Sequence, residues 1–238
     1  VSESLVRFEM LAGSEKVRSL QNKRVIVFGV GGVGGYVCEA LARSGVGTVD
    51  VVDNDTVNES NINRQIIALH STVGRNKTEV MKERMTDINP EICCREYNMF
   101  YLPENAEEID LSEYDYAVDA IDTVSGKMEL IKRCTDMNIP VISSMGTGNK
   151  LDPTKIVVTD IYKTKTCPLA RVMRGLCKKN GIKKLKVVYS EEEPKAPLFQ
   201  PEDENGQRRS TPSSSAFVPP AAGLTIASEV VKDLLNLC

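Results

Sequence analysis

Gly29-Val30-Gly31-Gly32-Val33-Gly34 lies between an apolar run at 24–28 and an amphipathic segment at 34–44. A chain that leaves a strand and enters a helix within so few residues needs glycine for the turn, and a phosphate can approach such a backbone without meeting a Cβ. The segment at 34–44 turns Val37, Ala40 and Leu41 to one side, Gly45 and Gly47 end it, and a second apolar run fills 48–52. This is a βαβ start, so the expected class is α/β, with a Rossmann-like, doubly wound and mainly parallel sheet. The helix N-terminus would offer unpaired N–H groups to phosphates. Asp53 closes the second strand, where a carboxylate accepts ribose hydroxyls. Gly29, Gly31, Gly32, Gly34 and Asp53 therefore read as nucleotide-binding. They do not separate a nicotinamide dinucleotide from ATP.

The remaining pattern extends this unit. Val80, Met81 and Met85 share one side of a helix at 76–88, which Asn89-Pro90 stops. Strands are expected at 92–97, 116–120 and 140–144, with a helix at 124–137 between the last two. Segments 156–161 and 185–189 extend the sheet with antiparallel members, and a last helix covers 223–237. Residues 191–215, rich in Pro, Glu, Ser and Gln, read as a long mobile loop. The 238 residues suit one ATP-binding domain: N-terminal helices at 1–22, a nucleotide-binding core at 23–150 and a substrate-facing extension at 151–238. The net charge of −3 gives no overall pull toward nucleic acid, so any such binding needs a local patch. No apolar run is long enough to span a bilayer, and no secretory signal is visible. The seven cysteines include no Cys-x-x-Cys pair, which argues against a zinc ribbon and for free thiols in a cytoplasmic protein.

The residues after the second strand distinguish the nucleotide chemistries. Asn61, Arg64, Gln65 and Lys77 have no evident use in hydride transfer. An enzyme that adenylates a carboxylate does need such groups, because charge builds on the departing pyrophosphate. Asp122, past the fourth strand, falls at the carboxyl edge of the sheet and is a candidate for holding Mg2+. Asp55 reads as support for the phosphate-site loop.

Gly29-x-Gly31-Gly32-x-Gly34, Asp53-x-Asp55-x-Val57, Asn61-x-x-Arg64-Gln65, Gly74-x-x-Lys77 and Asp119-x-x-Asp122 together resemble the ubiquitin-activating-enzyme-like superfamily. The resemblance implies that the glycines, Asp53 and Asp55 hold ATP with Asn61 and Gln65. Arg64, Lys77 and Asp122 would be catalytic, Asp122 through the metal. It also implies a homodimer. The second half, with Ser143-Ser144-Met145-Gly146-Thr147-Gly148-Asn149-Lys150-Leu151-Asp152-Pro153, Pro168-Leu169-Ala170-Arg171-Val172-Met173-Arg174, Val187-Val188-Tyr189-Ser190-Glu191-Glu192 and Ser215-Ala216-Phe217-Val218-Pro219-Pro220, resembles the tRNA threonylcarbamoyladenosine dehydratases. That kinship implies ATP-dependent cyclisation of a modified adenosine beside the anticodon, through adenylation of its threonyl carboxylate. The partner would be tRNA carrying threonylcarbamoyladenosine, not DNA or a membrane, and a sulfur-transfer protein is an admissible accessory. The competing readings are adenylation of a small sulfur-carrier protein, a nicotinamide-dependent oxidoreductase and a nucleotide-sensing module without turnover.

Between residues 161 and 190 there is no acidic side chain, while Lys163, Lys165, Arg171, Arg174, Lys178, Lys179, Lys183, Lys184 and Lys186 all fall there. In a helix at 168–179, Arg171, Arg174 and Lys178 share one face, and Leu169, Val172, Met173 and Leu176 the other. Such a stripe suits a polyanion, although composition alone equally allows a solvated face; the resemblance favours RNA. Arg208 and Arg209 join this set from the long loop, which reads as a lid or a passive crossover. His70, the single histidine, reads as structural, as do Cys38 and Cys134.

Overall fold

A computed structural model describes residues 3–199 and 212–237. One sheet of seven strands organises them: β1 (Arg24–Phe28), β2 (Thr48–Val52), β3 (Glu96–Tyr97), β4 (Tyr116–Asp119), β5 (Val141–Ser144), β6 (Ile156–Asp160) and β7 (Lys186–Ser190). Their order is β3-β2-β1-β4-β5-β7-β6. Every pair is parallel except β6 with β7. The Val-Ile-Val-Phe run of β1 is completely buried, as a central parallel strand covered on both faces must be. The strand order reverses between β1 and β4, which is where an open α/β sheet receives ligands. Phe28 pairs with both Val52 and Asp119, so the loops leaving β1, β2 and β4 start level with one another.

Among the described residues seven α-helices flank the sheet: α1 (Val6–Ala12), α2 (Ser14–Ser19), α3 (Gly34–Arg43), α4 (Lys77–Ile88), α5 (Val124–Asp136), α6 (Pro168–Lys179) and α7 (Val218–Leu234). On one face, Val37 and Leu41 of α3, Met81 and Met85 of α4 and Ile226 and Val230 of α7 share a core with Val25 and Val27. On the other, Leu130 and Cys134 of α5 pack with Ile26, Phe28 and Ala117. A third cluster joins Met173 and Cys177 of α6 to Ile131, Val187 and Tyr189. No helix among the described residues is long and apolar enough to cross a membrane.

Two starting boundaries differ most from the sequence expectation. The strand expected at 92–97 is cut to Glu96–Tyr97, with a single bridge at Cys93. The N–H of Arg95 donates to Asp50 Oδ1 at 2.7 Å, so a side chain takes a donor that the ladder would otherwise use. The last helix begins at Val218 instead of 223. Pro219 and Pro220 sit in its first turn, where a missing N–H costs nothing. Gly223 then passes so close to the glycine turn that a Cβ there would lie 2.4 Å from Val33 O.

The turn itself is held by close backbone approach. A Cβ on Gly34 would lie 1.8 Å from Gly29 O, and Gly29 adopts φ 87°. Gly34→Ala is therefore expected to lower the melting temperature, read by thermal denaturation. Gly175→Ala, in an open position on α6, is the contrast. It should stabilise by about 0.5–1 kcal/mol through helix propensity.

Candidate active site

The level loops enclose a cavity of about 660 Å³ at the switch point. Asp53 joins two of them. Its Oδ2 accepts from Val30 N at 2.7 Å and its Oδ1 from Asp55 N at 2.9 Å. The carboxylate thus ties the glycine turn to the loop after β2. Burial raises its pKa despite the nearby Lys77 and these two hydrogen bonds. Gly29, Gly31 and Gly32 line the cavity. A Cβ on Gly31 would have no neighbour closer than 3.8 Å, so this backbone is open to a ligand. Gly34 is buried and does not reach the cavity; its role is the close approach described above.

The polar groups after β2 converge here. Asn61 is buried, and its Oδ1 accepts from Asn58 N at 3.1 Å, closing the turn that carries Arg64. Arg64 is half-buried. Its Nη1 donates to Ser60 O at 2.9 Å and Asn63 Oδ1 at 2.8 Å, and it has no carboxylate partner among the described residues. Burial lowers its pKa. Lys77, only 5% exposed at the start of α4, pairs with Asp55 at 2.8 Å. Gln65 is also buried, and its Oε1 has no hydrogen-bond partner, nor does Thr123 Oγ1 on the opposite loop. Both residues line the cavity. Buried polar atoms left unpaired next to open volume mark places where a ligand completes the bonding. Asp122 is exposed on the cavity rim, without a hydrogen bond or ion pair among the described residues.

A buried ion pair fixes the loop that carries Asp122. Asp119 and Lys127 are both fully buried, with Nζ 3.0 Å from Oδ2. Lys127 Nζ also donates to Ile121 O at 3.0 Å, Asp119 Oδ1 accepts from Ile121 N at 3.2 Å, and Ser143 Oγ donates to Asp119. Asp119, Lys127 and Ser143 thus bind the ends of β4 and β5 to the first turn of α5. The far wall of the cavity is built by residues 144–150 and by Cys167 and Pro168 at the start of α6.

A profile of the ThiF family matches residues 3–237. The tRNA threonylcarbamoyladenosine dehydratase of Bacillus subtilis is 45% identical over 97% of this chain and 94% of its own length. The E. coli tRNA N6-threonylcarbamoyladenosine dehydratase in complex with AMP superposes with a TM-score of 0.89 at 32% identity, covering 99% of this chain and 97% of that one. Its complex with ATP gives 0.87 at 33% identity, covering 98% and 94%. The chain belongs to the tRNA threonylcarbamoyladenosine dehydratases.

In this dehydratase every residue expected to hold nucleotide lines the cavity except Gly34. Asp55 supports the loop by pairing with Lys77, as expected. Arg171, Lys178 and Lys179 are exposed on α6 and make no ion pair among the described residues. Arg174 is placed differently: its Nη1 donates to Thr164 O at 2.9 Å and to Thr164 Oγ1, so it fastens the helix to the preceding turn. The helix buries Ala170, Met173 and Cys177, and Val172, expected on that side, is 50% exposed. The cause is the narrower stripe that a helix against one sheet face needs. Lys186 is paired with Glu229 and Asp233 of α7. Arg208 and Arg209 lie outside the described residues. The described flanks of the long loop are moored: Ser213 N donates to Asn149 Oδ1 at 2.8 Å, Lys195 N to Asn149 O at 2.8 Å and Asn63 Nδ2 to Ser214 O at 3.1 Å. His70 is exposed, and Cys38 and Cys134 are core residues as expected.

Sequence reasoning missed Lys127 and Lys150. Lys127 stands in an amphipathic helix where lysine usually faces water, and only the close approach of α5 to β4 shows its partner. Removing it would leave Asp119 a buried, unpaired carboxylate. Lys127→Met is expected to destabilise the fold by about 3–5 kcal/mol, measured by urea unfolding, and Asp119→Asn combined with Lys127→Met should recover part of that loss.

Proposed function

We propose that this chain catalyses the ATP-dependent cyclisation of threonylcarbamoyladenosine next to the anticodon of tRNA. A carboxylate oxygen of the threonyl group attacks the α-phosphorus of ATP, a co-substrate consumed in the reaction. The bond to the β-phosphate oxygen breaks and pyrophosphate leaves. A nucleophile of the same side chain then attacks the activated carbonyl, the ring closes and AMP departs, for a net loss of one water. The nucleophile is already tethered, which raises its effective concentration and makes a protein thiol unnecessary.

The observation that carries this reading is Arg64. A half-buried guanidinium without a carboxylate partner, on the cavity beside the glycine turn, is positioned to stabilise charge that develops on phosphate oxygens. Gly29, Gly31, Gly32 and Gln65 would cradle the nucleotide, Asp53 would meet the ribose, Asn61 would hold the turn that carries Arg64, and Lys77, steered by Asp55, would add a second cation. Among the described residues no group of three His, Cys, Asp or Glu side chains could hold a metal ion by itself. Mg2+ suits the site in the way that ion uses substrates, with one carboxylate from the protein and the rest of the shell from phosphates and water. Asp122 would supply that carboxylate, and the ion would offset charge on the departing pyrophosphate.

For the RNA we propose the carboxylate-free face formed by Arg171, Lys178 and Lys179, with Lys183 and Lys184 near the end of α6 and Arg174 as its anchor; Arg208 and Arg209 would add to it. This makes residues 151–238 the RNA-facing part of a single ATP-binding domain. We also propose a homodimer: Met10 and Leu11 of α1 are 83% and 84% exposed, and a second copy would cover such side chains. Free thiols fit a cytoplasmic setting. The reaction moves no sulfur, so a sulfur-transfer protein would act only as an accessory.

Incubation of threonylcarbamoyladenosine-containing tRNA with the protein, ATP and Mg2+ should convert the nucleoside to a product lighter by one water, seen by mass analysis. An unchanged nucleoside with AMP released only when a carrier protein ending in Gly-Gly is added would replace this reading. Arg64→Ala should lower kcat by about 10²–10³ while the melting temperature stays near wild type. Arg171→Glu with Lys178→Glu should weaken tRNA binding and reduce the slope of log affinity against log salt by about 1 for each lost phosphate contact. Unaltered affinity would make α6 ordinary surface.

A further inference from the structure

The far wall of the cavity holds a cation for which the nucleotide has no need. Lys150 follows β5 and is 3% exposed. Its Nζ donates to Ser190 O at 2.9 Å and to Gly146 O at 3.4 Å, both neutral carbonyls, and it forms no ion pair among the described residues. Glu192, close in space, is already engaged. Its Oε2 accepts from Leu151 N at 2.9 Å and Asp152 N at 2.8 Å, and its Oε1 lies 4.0 Å from Lys195 Nζ. A buried ammonium without a bound anion is costly, and it usually either loses its proton or finds a counter-charge. Burial does push the Lys150 pKa down. Here the counter-charge has room to arrive as a ligand, because Lys150 lines the open cavity.

The start of α6 faces the same space. Pro168 and Leu169 line the cavity, and Cys167 Sγ accepts from Ala170 N at 3.5 Å as a weak cap. Pro168 has no N–H and Arg171 N donates to Cys167 O at 3.1 Å, so Leu169 N is the first-turn donor left for a ligand among the described residues. Thr166 adopts φ 48°, an unfavourable backbone state for a β-branched residue. A Cβ on Gly146 would lie 3.2 Å from Cys167 Sγ, so the turn sets α6 directly against the loop that leads to Lys150.

We infer that Lys150 and the first turn of α6 form a carboxylate subsite that receives the threonyl group of the modified nucleoside across the cavity from the glycine turn. The inference rests on the cyclisation reading above and names how its acyl substrate is held. One carboxylate oxygen is gripped by Lys150, and the other is left to attack phosphorus. The subsite lowers the cost of bringing an anionic nucleophile to an anionic triphosphate.

The test compares free threonylcarbamoyladenosine with its methyl ester by calorimetry, using the full chain and a non-hydrolysable ATP analogue. The wild type should bind the acid at least about tenfold more tightly than the ester, the scale of one charge-assisted hydrogen bond. Lys150→Gln, which keeps a donor for Ser190 O, and Lys150→Met should erase that preference and raise KM for modified tRNA while ATP affinity is unchanged. Lys150→Arg should restore much of it. Retained preference in Lys150→Gln, with ATP binding intact and wild-type cyclisation observed, overturns the subsite alone. A wild type that neither cyclises the tRNA nor prefers the acid overturns the functional reading and the subsite with it.

Discussion

The site depends on one carboxylate that serves two loops. Asp53 accepts the N–H of Val30 on one oxygen and the N–H of Asp55 on the other. Without it the glycine turn and the loop that pairs with Lys77 would be set independently, each free to drift by the small distances that matter for phosphate contact. The sheet makes this possible. Because Phe28, Val52 and Asp119 stand in register, side chains at the ends of three strands can reach one another across the switch point. Asp119 does for the loop after β4 what Asp53 does for the loop after β2, but with a buried lysine beside a single backbone amide.

Desolvation is distributed unevenly over the molecule. Asp53, Arg64 and Lys150 are pushed by burial away from their ionised forms, and all three line the cavity. Elsewhere, burial against partners acts the other way: Glu39, held by Arg84 and Arg43, stays below its ordinary pKa although desolvation is its largest single influence. A raised carboxyl pKa means that the folded state binds protons more readily than the unfolded one. Asp53 therefore opposes folding above its raised pKa, and the opposition fades as the pH falls through that value toward the ordinary carboxylate range. For Lys150 the sign is reversed: the opposition is present below its lowered pKa and fades as the pH rises from there to the ordinary lysine range.

What the sequence disclosed follows from how local each signal is. Strand β1, helix α3 and strand β2 were readable to within a residue because the glycine turn and the two apolar runs are contiguous. Helix α6 was readable in extent, but its buried stripe was not: Val172 is as apolar as Met173, and only the sheet decides which of them turns inward. The start of α7 was hidden because two prolines read as loop until the first-turn exception is applied. Arg64, Lys77 and Asp122 were expected near the nucleotide loop from their spacing after the strands, and all three line the cavity. Lys127 and Lys150 were not, since their meaning lies in partners brought together by the fold, Asp119 for one and Ser190 and an open wall for the other.

These two lysines also show why burial alone does not define a functional charge. Lys127 is more deeply buried than Lys150, yet it has a carboxylate at 3.0 Å, a carbonyl at 3.0 Å and no access to the cavity. Its charge is used up inside the fold, and what it supplies is the position of Asp122. Lys150 has carbonyls only, and it borders open volume. A lysine of the first kind is explained by the protein. A lysine of the second kind is explained by an anion the protein is built to receive, and the same reasoning applies to Arg64 across the cavity. The two cations then face one space from opposite sides, which is the arrangement required to bring two negative reactants, a carboxylate and a polyphosphate, into contact.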